Sequence, residues 1–328
     1  MPESARFTDE SRLLGMLQSG FPLTREPYHD IGIELGMAAD DVIRGIIDLK
    51  KKGIVRQVSP VLDARRLGYQ STLVAMKVEL PCIKSAEKYL GAHKGISHGY
   101  QREHDFNIWV TLSVPPGKDL QAEVQDISDS CRAEAVIALP ATRVFKLRTD
   151  FSRTEDTSAE EHISNGSGLP IRARLSQADR QVINGLQHDL PLCPDPFSLL
   201  AHGIGMDVEK MLVHGRSLLR RGIMRRYGAS INHRNAGYEA NAMTCWDAPA
   251  GKVVKLGRLL ASSRQVSHCY ERATNDSWNY NLFAMVHSRD KTACLRAIEK
   301  MAVGTGLRDY AALFSVKEFK KTRIIYSV

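Results

Sequence analysis

The sequence predicts an α+β protein built as a tandem repeat, each repeat a winged helix-turn-helix followed by a ferredoxin-like βαββαβ unit. Three observations carry this. The first is internal duplication. Ser97-His98-Gly99-Tyr100-Gln101-Arg102 recurs as Ser267-His268-Cys269-Tyr270-Glu271-Arg272 at an offset of 170. Gly53-Ile54-Val55-Arg56 matches Gly222-Ile223-Met224-Arg225, and Leu67-Gly68-Tyr69 matches Ala236-Gly237-Tyr238, both at 169. Val144-Phe145-Lys146 matches Glu318-Phe319-Lys320 at 174. That period is far longer than the roughly 20–50 residues of a solenoid, so a module of domain size is used twice. The second observation is that each copy changes its apolar period partway, from helical spacing to strand-like runs. The third is a polar tether between the copies, from 152 to about 168, rich in Ser, Thr, Glu, Asn and Gly.

Each copy opens with three helical signals. Residues 10–18 carry Leu13, Leu14 and Leu17; residues 28–37 read as a short helix stopped by Gly36. A longer helix over 39–52 sets Val42, Ile43, Ile46, Ile47 and Leu49 on one face, and Gly53 ends it. The second copy repeats this over 179–187, 197–205 and 207–221, closed by Gly222. Three short helices followed by an extended Ile54-Val55-Arg56 stretch read as a winged helix-turn-helix. After Tyr69 come β-formers over 71–80, a helix over 85–93, strands over 97–102 and 107–114, a helix over 120–131 and a strand over 136–150. That order is the ferredoxin-like unit, repeated from 239 to the end. The expected units are thus 1–69 and 175–238 (winged helix-turn-helix), 70–151 and 239–328 (ferredoxin-like), with a linker over 152–174.

At 328 residues, 43% hydrophobic and 25% charged, the composition is that of a globular protein, and each half can bury a core. No apolar run approaches the roughly 18–20 residues of a membrane span, and Met1-Pro2-Glu3-Ser4-Ala5-Arg6 lacks the apolar segment of a signal peptide. The six cysteines form no C-x-x-C and share no spacing between copies, which argues against a disulfide framework or a zinc site and for reduced thiols in the cytoplasm. A net charge of +8 suits a polyanionic partner, either nucleic acid or a polycarboxylate ligand.

Strand periodicity puts His98, Tyr100 and Arg102 on one face, and His268, Tyr270 and Arg272 on another. A lone strand His is ordinarily structural; the same polar triplet in both copies points to chemistry on an anion. His233 stands where half one has Ala64, so it is asymmetric, with an exposed loop His as the alternative. Arg56 and Arg225 match across the repeat and read either as carboxylate clamps or as wing surface. Trp109, Tyr280 and Phe283 read as walls for a flat ligand or as core. Lys146, Lys317, Lys320 and Lys321 read as site cations or as a soluble edge. A DNA-reading helix would present Ala38-Ala39-Asp40-Asp41 or Asp207-Val208-Glu209 to the duplex, with Lys50-Lys51-Lys52 and Arg220-Arg221 at the far ends. Carboxylates there repel phosphates, which argues against specific DNA binding.

A winged helix-turn-helix followed by a ferredoxin-like domain resembles the Lrp/AsnC regulators. His98-Gly99-Tyr100-Gln101-Arg102, Asn107-Ile108-Trp109 and Leu139-Pro140-Ala141-Thr142-Arg143-Val144-Phe145-Lys146 are similar to one subunit of the siroheme decarboxylases. Ser267-His268-Cys269-Tyr270-Glu271-Arg272, Trp278-Asn279-Tyr280-Asn281-Leu282-Phe283 and Val316-Lys317-Glu318-Phe319-Lys320-Lys321 are similar to the partner subunit. The resemblance covers nearly the whole chain outside the linker. It implies a carboxy-lyase with both subunits fused, which removes the carboxyl groups of two siroheme acetates. The product, 12,18-didecarboxysiroheme, feeds haem d1 or alternative haem biosynthesis. It implies no cofactor beyond the iron that siroheme carries, a pseudo-twofold pairing of the halves with a homodimer left open, and substrate where the ferredoxin-like domains meet. His268, His233 and His98 are the expected catalytic groups, and His233 or His268 the expected ligand to the substrate iron. Arg272, Tyr270, Arg102, Tyr100, Arg225, Arg56, Trp109 and Lys317 are the expected substrate-binding residues. The chemistry is compatible: Arg forks suit carboxylates, the macrocycle is its own electron sink, and His delivers a proton near pH 7. The competing reading is a tandem Lrp/AsnC-type transcription regulator with a small effector in the same place.

Overall fold

The computed structural model describes residues 3–147, 172–231 and 240–328. The first half runs α1 (Glu3–Ser19), α2 (Pro27–Leu35), α3 (Ala39–Lys51), β1 (Val55–Leu62), β2 (Gln70–Val78), α4 (Ile83–Ala92), β3 (Ile96–Arg102), β4 (Ile108–Val114), α5 (Leu120–Cys131) and β5 (Ala133–Leu147). The second runs α6 (Gln177–Leu186), α7 (Pro196–Gly203), α8 (Val208–Arg220), β6 (Met224–Ile231), β7 (Ala240–Trp246), α9 (Val253–Ser262), β8 (Val266–Arg272), β9 (Leu282–Ser288), α10 (Lys291–Thr305) and β10 (Tyr310–Lys321). Gly36 ends α2 in the left-handed region at φ 70°, which costs any residue with a Cβ. A Ser176/Asp179 capping box opens α6.

The two helix-turn-helix units are not separate bodies. Each carries a single wing strand, whose free edge would leave main-chain groups unpaired. β1 therefore pairs antiparallel with β6 of the other half, Val58 opposite Ala229. The helices close over this ribbon in one shared core, with Leu13, Tyr28 and Ile46 joined to Val182, Phe197 and Leu218.

The ferredoxin-like units also merge. Their strands form one closed barrel in the order β10-β3-β4-β2-β5-β8-β9-β7. The long strands β5 and β10 make the seams, each leaving its own sheet to pair with the other half. Val144 lies opposite Tyr270 in one seam, and Glu318 opposite Tyr100 in the other, so a pseudo-twofold relates the seams. Outside, α9 and α10 bury Leu256, Cys269 and Ile298, while α4 and α5 bury Leu90, Val110 and Ile127. Inside, Leu73, Trp109, Leu139, Met243, Phe283 and Leu313 fill the barrel.

Two of the edge lysines hold the halves together instead of facing water. Lys146 donates to the carbonyls of Ala261 (2.7 Å) and Ser263 (3.0 Å) at the end of α9, and the matching Lys320 to that of His93 (2.6 Å) just past α4. A cation at a helix C-terminus satisfies carbonyls that the helix leaves open. Beside them, Phe319 packs where a Cβ on Gly99 would come within 2.2 Å of its ring, and Phe145 stands likewise over Gly257. The last residues leave the barrel for the helix-turn-helix layer. There Arg323 donates to the carbonyls of Ser59 and Pro60, and Tyr326 packs edge-on to Tyr69 at 4.9 Å. All six cysteines are free thiols. No helix among the described residues is long and apolar enough to cross a membrane.

Candidate active site

Both duplicated motifs sit on a strand bulge. The register slips between Ile96 and His98 in β3, and between Val266 and His268 in β8, so Ser97 and Ser267 are the inserted residues. A bulge re-aims the side chains that follow it. Beyond it, alternation turns Cys269 to the helices and the His, Tyr and Arg inward, as the strand period predicts. His98 stacks on Tyr100 at 6.5 Å and 20°, with the Arg102 guanidinium 4.9 Å from the Tyr100 ring. His268 stacks on Tyr270 at 6.3 Å and 17°, with Arg272 at 4.9 Å.

The two arginines lie deepest. Arg102 donates to the Leu313 carbonyl at 2.9 Å, and Arg272 to that of Leu139 at 2.7 Å, each reaching over its seam to the neighbouring strand of the other half. Burial pulls each guanidinium down to about 10, and the Nε of each has no partner. Trp109 pairs with Tyr100 across the sheet, is buried, and donates its indole N–H to the Phe106 carbonyl at 2.6 Å. Its place is with the core, the alternative weighed from sequence. Lys317 turns toward the helices and ion-pairs with Glu87 on α4, away from the His–Tyr face. His233 lies outside the described residues.

The seams make the two His–Tyr–Arg clusters unlike. In half one, Glu318 stands opposite Tyr100, and burial and then this carboxylate raise the Tyr100 hydroxyl. The same carboxylate meets Arg56 at 3.1 Å and Lys321 at 3.9 Å, and Arg56 also donates to the Lys321 carbonyl at 2.8 Å. Burial works to raise the Glu318 carboxyl, but Lys321, Arg56 and Tyr100 outweigh it and hold it below the usual range. Burial, then Lys321, push His98 down to about 4. Half one therefore holds an anion of its own.

In half two the matching seam positions are Val144 and Leu147. Burial raises the Tyr270 hydroxyl, opposed by the nearby cations Arg272, Arg225 and Arg65. Arg225, from β6, is tied to Asp63 at 2.7 Å, whose carboxylate is also capped by the Arg65 and Arg66 N–H groups. Burial raises that carboxyl, but Arg225 and these N–H groups bring it below its ordinary value. Sequence reasoning missed Arg65, although Arg65 and Arg234 match across the repeat at the same offset of 169 as their neighbours. It also missed a chain of contacts behind His268. Ser267 Oγ lies 2.8 Å from His268 Nδ1 and 2.8 Å from His287 Nε2.

The first turns of α3 and α8 present carboxylates, Asp40 and Asp41 in one and Glu209 in the other. Asp207 caps α8, and Glu209 in its first turn meets Arg25 at 3.9 Å. At the far end of α3, Lys50 and Lys52 are spent on Asp189 (2.5 Å) and Glu10 (2.6 Å). Binding to duplex DNA should accordingly be non-specific, with Kd roughly 10⁻⁴–10⁻⁶ M at physiological salt and a steep loss on adding salt. A fluorescence anisotropy titration checks this; a nanomolar, sequence-selective complex would restore the regulator reading.

Two modules fused at their barrel seams, with one His–Tyr–Arg cluster meeting a carboxylate from the other half and its counterpart meeting none at that seam position, define a double module of the AsnC-like ligand-binding type. Residues 66–146 and 235–320 match the AsnC-like ligand binding domain, and 10–56 and 179–225 match the siroheme decarboxylase NirDL-like HTH domain. The chain belongs to the siroheme decarboxylase family. It is 34% identical over 316 residues to the siroheme decarboxylase of Hydrogenobacter thermophilus, covering 96% of this chain and 94% of that one. The siroheme decarboxylase beta subunit of Methanosarcina barkeri is 35% identical over 150 residues, which is 46% of this chain and 99% of the subunit. The crystal structure of siroheme decarboxylase NirDL in co-complex with an iron-uroporphyrin III analogue superposes with a TM-score of 0.75 at 31% identity, covering 98% of this chain and 95% of that one.

Proposed function

We propose that this chain is a carboxy-lyase that removes CO2 from two acetate side chains of siroheme to give 12,18-didecarboxysiroheme, and that the half-two pocket does the chemistry. The carrying observation is the seam asymmetry. Glu318 meets Tyr100 and Arg56 at the half-one seam, whereas in half two Val144 stands opposite Tyr270, so among the described residues the seam itself brings no carboxylate to Tyr270, Arg225 and Arg65. A cationic site favours an anion, and Arg forks fit carboxylates.

Arg65 and Arg225, from the wing strands, take the ring carboxylates, with Asp63 released from Arg225 on binding. Arg272 lies behind Tyr270, and its unpartnered Nε keeps positive charge beneath the reacting acetate. As the C–CO2 bond breaks, its electron pair passes into the macrocycle and returns to the CH2 carbon with one proton, leaving CH3. His268 supplies that proton. The iron belongs to the substrate, and the chain needs no cofactor of its own; His233 or His268 is assigned to contact the iron. His98, Tyr100, Arg102 and Arg56 are assigned to holding Glu318 and the seam. The free cysteines suit a reducing cytoplasm.

Anaerobic incubation of the purified protein with siroheme, followed by mass spectrometry, should show loss of one and then two CO2. Siroheme recovered bound but unchanged would overturn the assignment.

A further inference from the structure

We infer that Ser267 and His287 form a proton relay that recharges His268, a device present in half two only; the inference rests on the decarboxylase reading. The geometry is direct. The Ser267 hydroxyl, itself buried, lies within hydrogen-bond distance of His268 Nδ1 and His287 Nε2, 2.8 Å to each. A hydroxyl accepts from one ring while donating to the other. His287 and Met285 project from the same face of β9 as Phe283, and His268 and His287 are both half-buried, so the buried serine joins two imidazoles of similar exposure.

Half one has the same beginning and a different end. Ser97 Oγ lies 2.9 Å from His98 Nδ1, but the position of His287 is taken by Ser113, which bonds the Ser71 hydroxyl at 2.8 Å. The Ser–His pair is therefore common to both halves, and the second imidazole belongs to the half whose pocket lacks the internal carboxylate.

A relay answers a physical difficulty. Decarboxylation consumes one proton at the CH2 carbon for each CO2 released. Burial disfavours a charged imidazole, as at His98 in half one, where burial and then Lys321 push it down to about 4. A buried His can still donate if charge is held elsewhere. With His287 as imidazolium and His268 neutral with its proton on Nε2, three protons each move by one hydrogen bond. His287 Nε2–H passes to Ser267 Oγ, Ser267 O–H to His268 Nδ1, and His268 Nε2–H to the substrate carbon. His287 is left neutral. Once CO2 and product leave, Nε2 of His268 takes a proton from water, Nδ1 returns its proton through Ser267, and His287 is imidazolium again. One solvent proton enters per CO2, and both residues act through His268 without touching substrate.

Gln in place of His287 keeps an N–H donor for Ser267 and cannot carry a proton. His287→Gln should lower single-turnover decarboxylation by roughly a hundredfold, the low end of a proton-transfer contribution, while the affinity for iron-uroporphyrin stays within about twofold of wild type, as for a residue that acts on the chemical step alone. Ser267→Ala should behave likewise, Ser267→Thr should retain activity, and added imidazole should restore His287→Gly. Wild-type turnover in His287→Gln would overturn the relay. A second readout needs no turnover: imidazole 15N shifts of the substrate-free protein should place the His268 proton on Nε2, with that preference lost in Ser267→Ala. An Nδ1–H tautomer would sink the relay even in an active enzyme. Siroheme left unreacted by the wild type would instead sink the decarboxylase reading, with the tautomer result still judging the relay.

Discussion

His268→Ala should cut decarboxylation by roughly a hundredfold or more, the usual share of a general acid, while siroheme stays bound. The side chain sits on a strand bulge, stacked on Tyr270 and held at Nδ1 by Ser267, which aims its Nε2 away from the serine. Removing it leaves Arg65, Arg225 and Arg272 in place, so the charges that hold carboxylates are untouched. The matched control is His98→Ala. His98 has the same stacking and the same serine, but its pocket already holds Glu318, so its loss should change turnover by less than about threefold, as for a residue outside the reacting site. Single-turnover CO2 release, with iron-uroporphyrin binding followed by absorbance, separates the two effects. A His268→Ala protein that binds and decarboxylates siroheme at the normal rate would remove this residue from the mechanism and move the acid to His233 or His98.

Much of this was legible in the chain because duplication is a statement about geometry. Ser-His-x-Tyr-x-Arg written twice on strand-like segments already places three polar groups on one face, and both stacks follow it closely. Gly36 at a helix end, and Gly53 and Gly222 before the wing strands, were readable for the same local reason. What stayed hidden depends on which edges meet. A βαββαβ order does not say that β5 leaves its own sheet to pair with β8, so the contrast between Glu318 and Val144 looked like an ordinary difference between copies. Only the register gives it meaning, by setting each residue opposite a Tyr. Lys146 and Lys320 read only as site cations or a soluble edge because a lysine on a strand gives no sign that a helix from the other half ends above it. His287 was invisible for a similar reason: it lies outside the repeated motif, and half one carries Ser113 at the corresponding place.

Severing the chain near Asn165, within the stretch 148–171 that lies outside the described residues, should leave the two halves bound to each other. The barrel closes only by pairing β5 with β8 and β10 with β3, and the helix-turn-helix layer shares one core across β1 and β6. Separation would bare six strand edges and the apolar faces of six helices together, the situation of an obligate interface in which roughly 2,000 Å² or more is buried. At micromolar concentration the fragments should co-elute and separate only in denaturant; independent elution would show that the seams do not hold the molecule. Expressed alone, the first half should not remain a monomer. Its free β5 edge can meet its own β3 in a second copy, giving a homodimer with Val144, not Glu318, opposite Tyr100. That dimer would lose the carboxylate that satisfies Arg56, so it should bind iron-uroporphyrin where half one of the intact chain does not. Equilibrium dialysis of the isolated half against iron-uroporphyrin tests this, and a dimer with no affinity for it would show that Glu318 is not what closes the pocket.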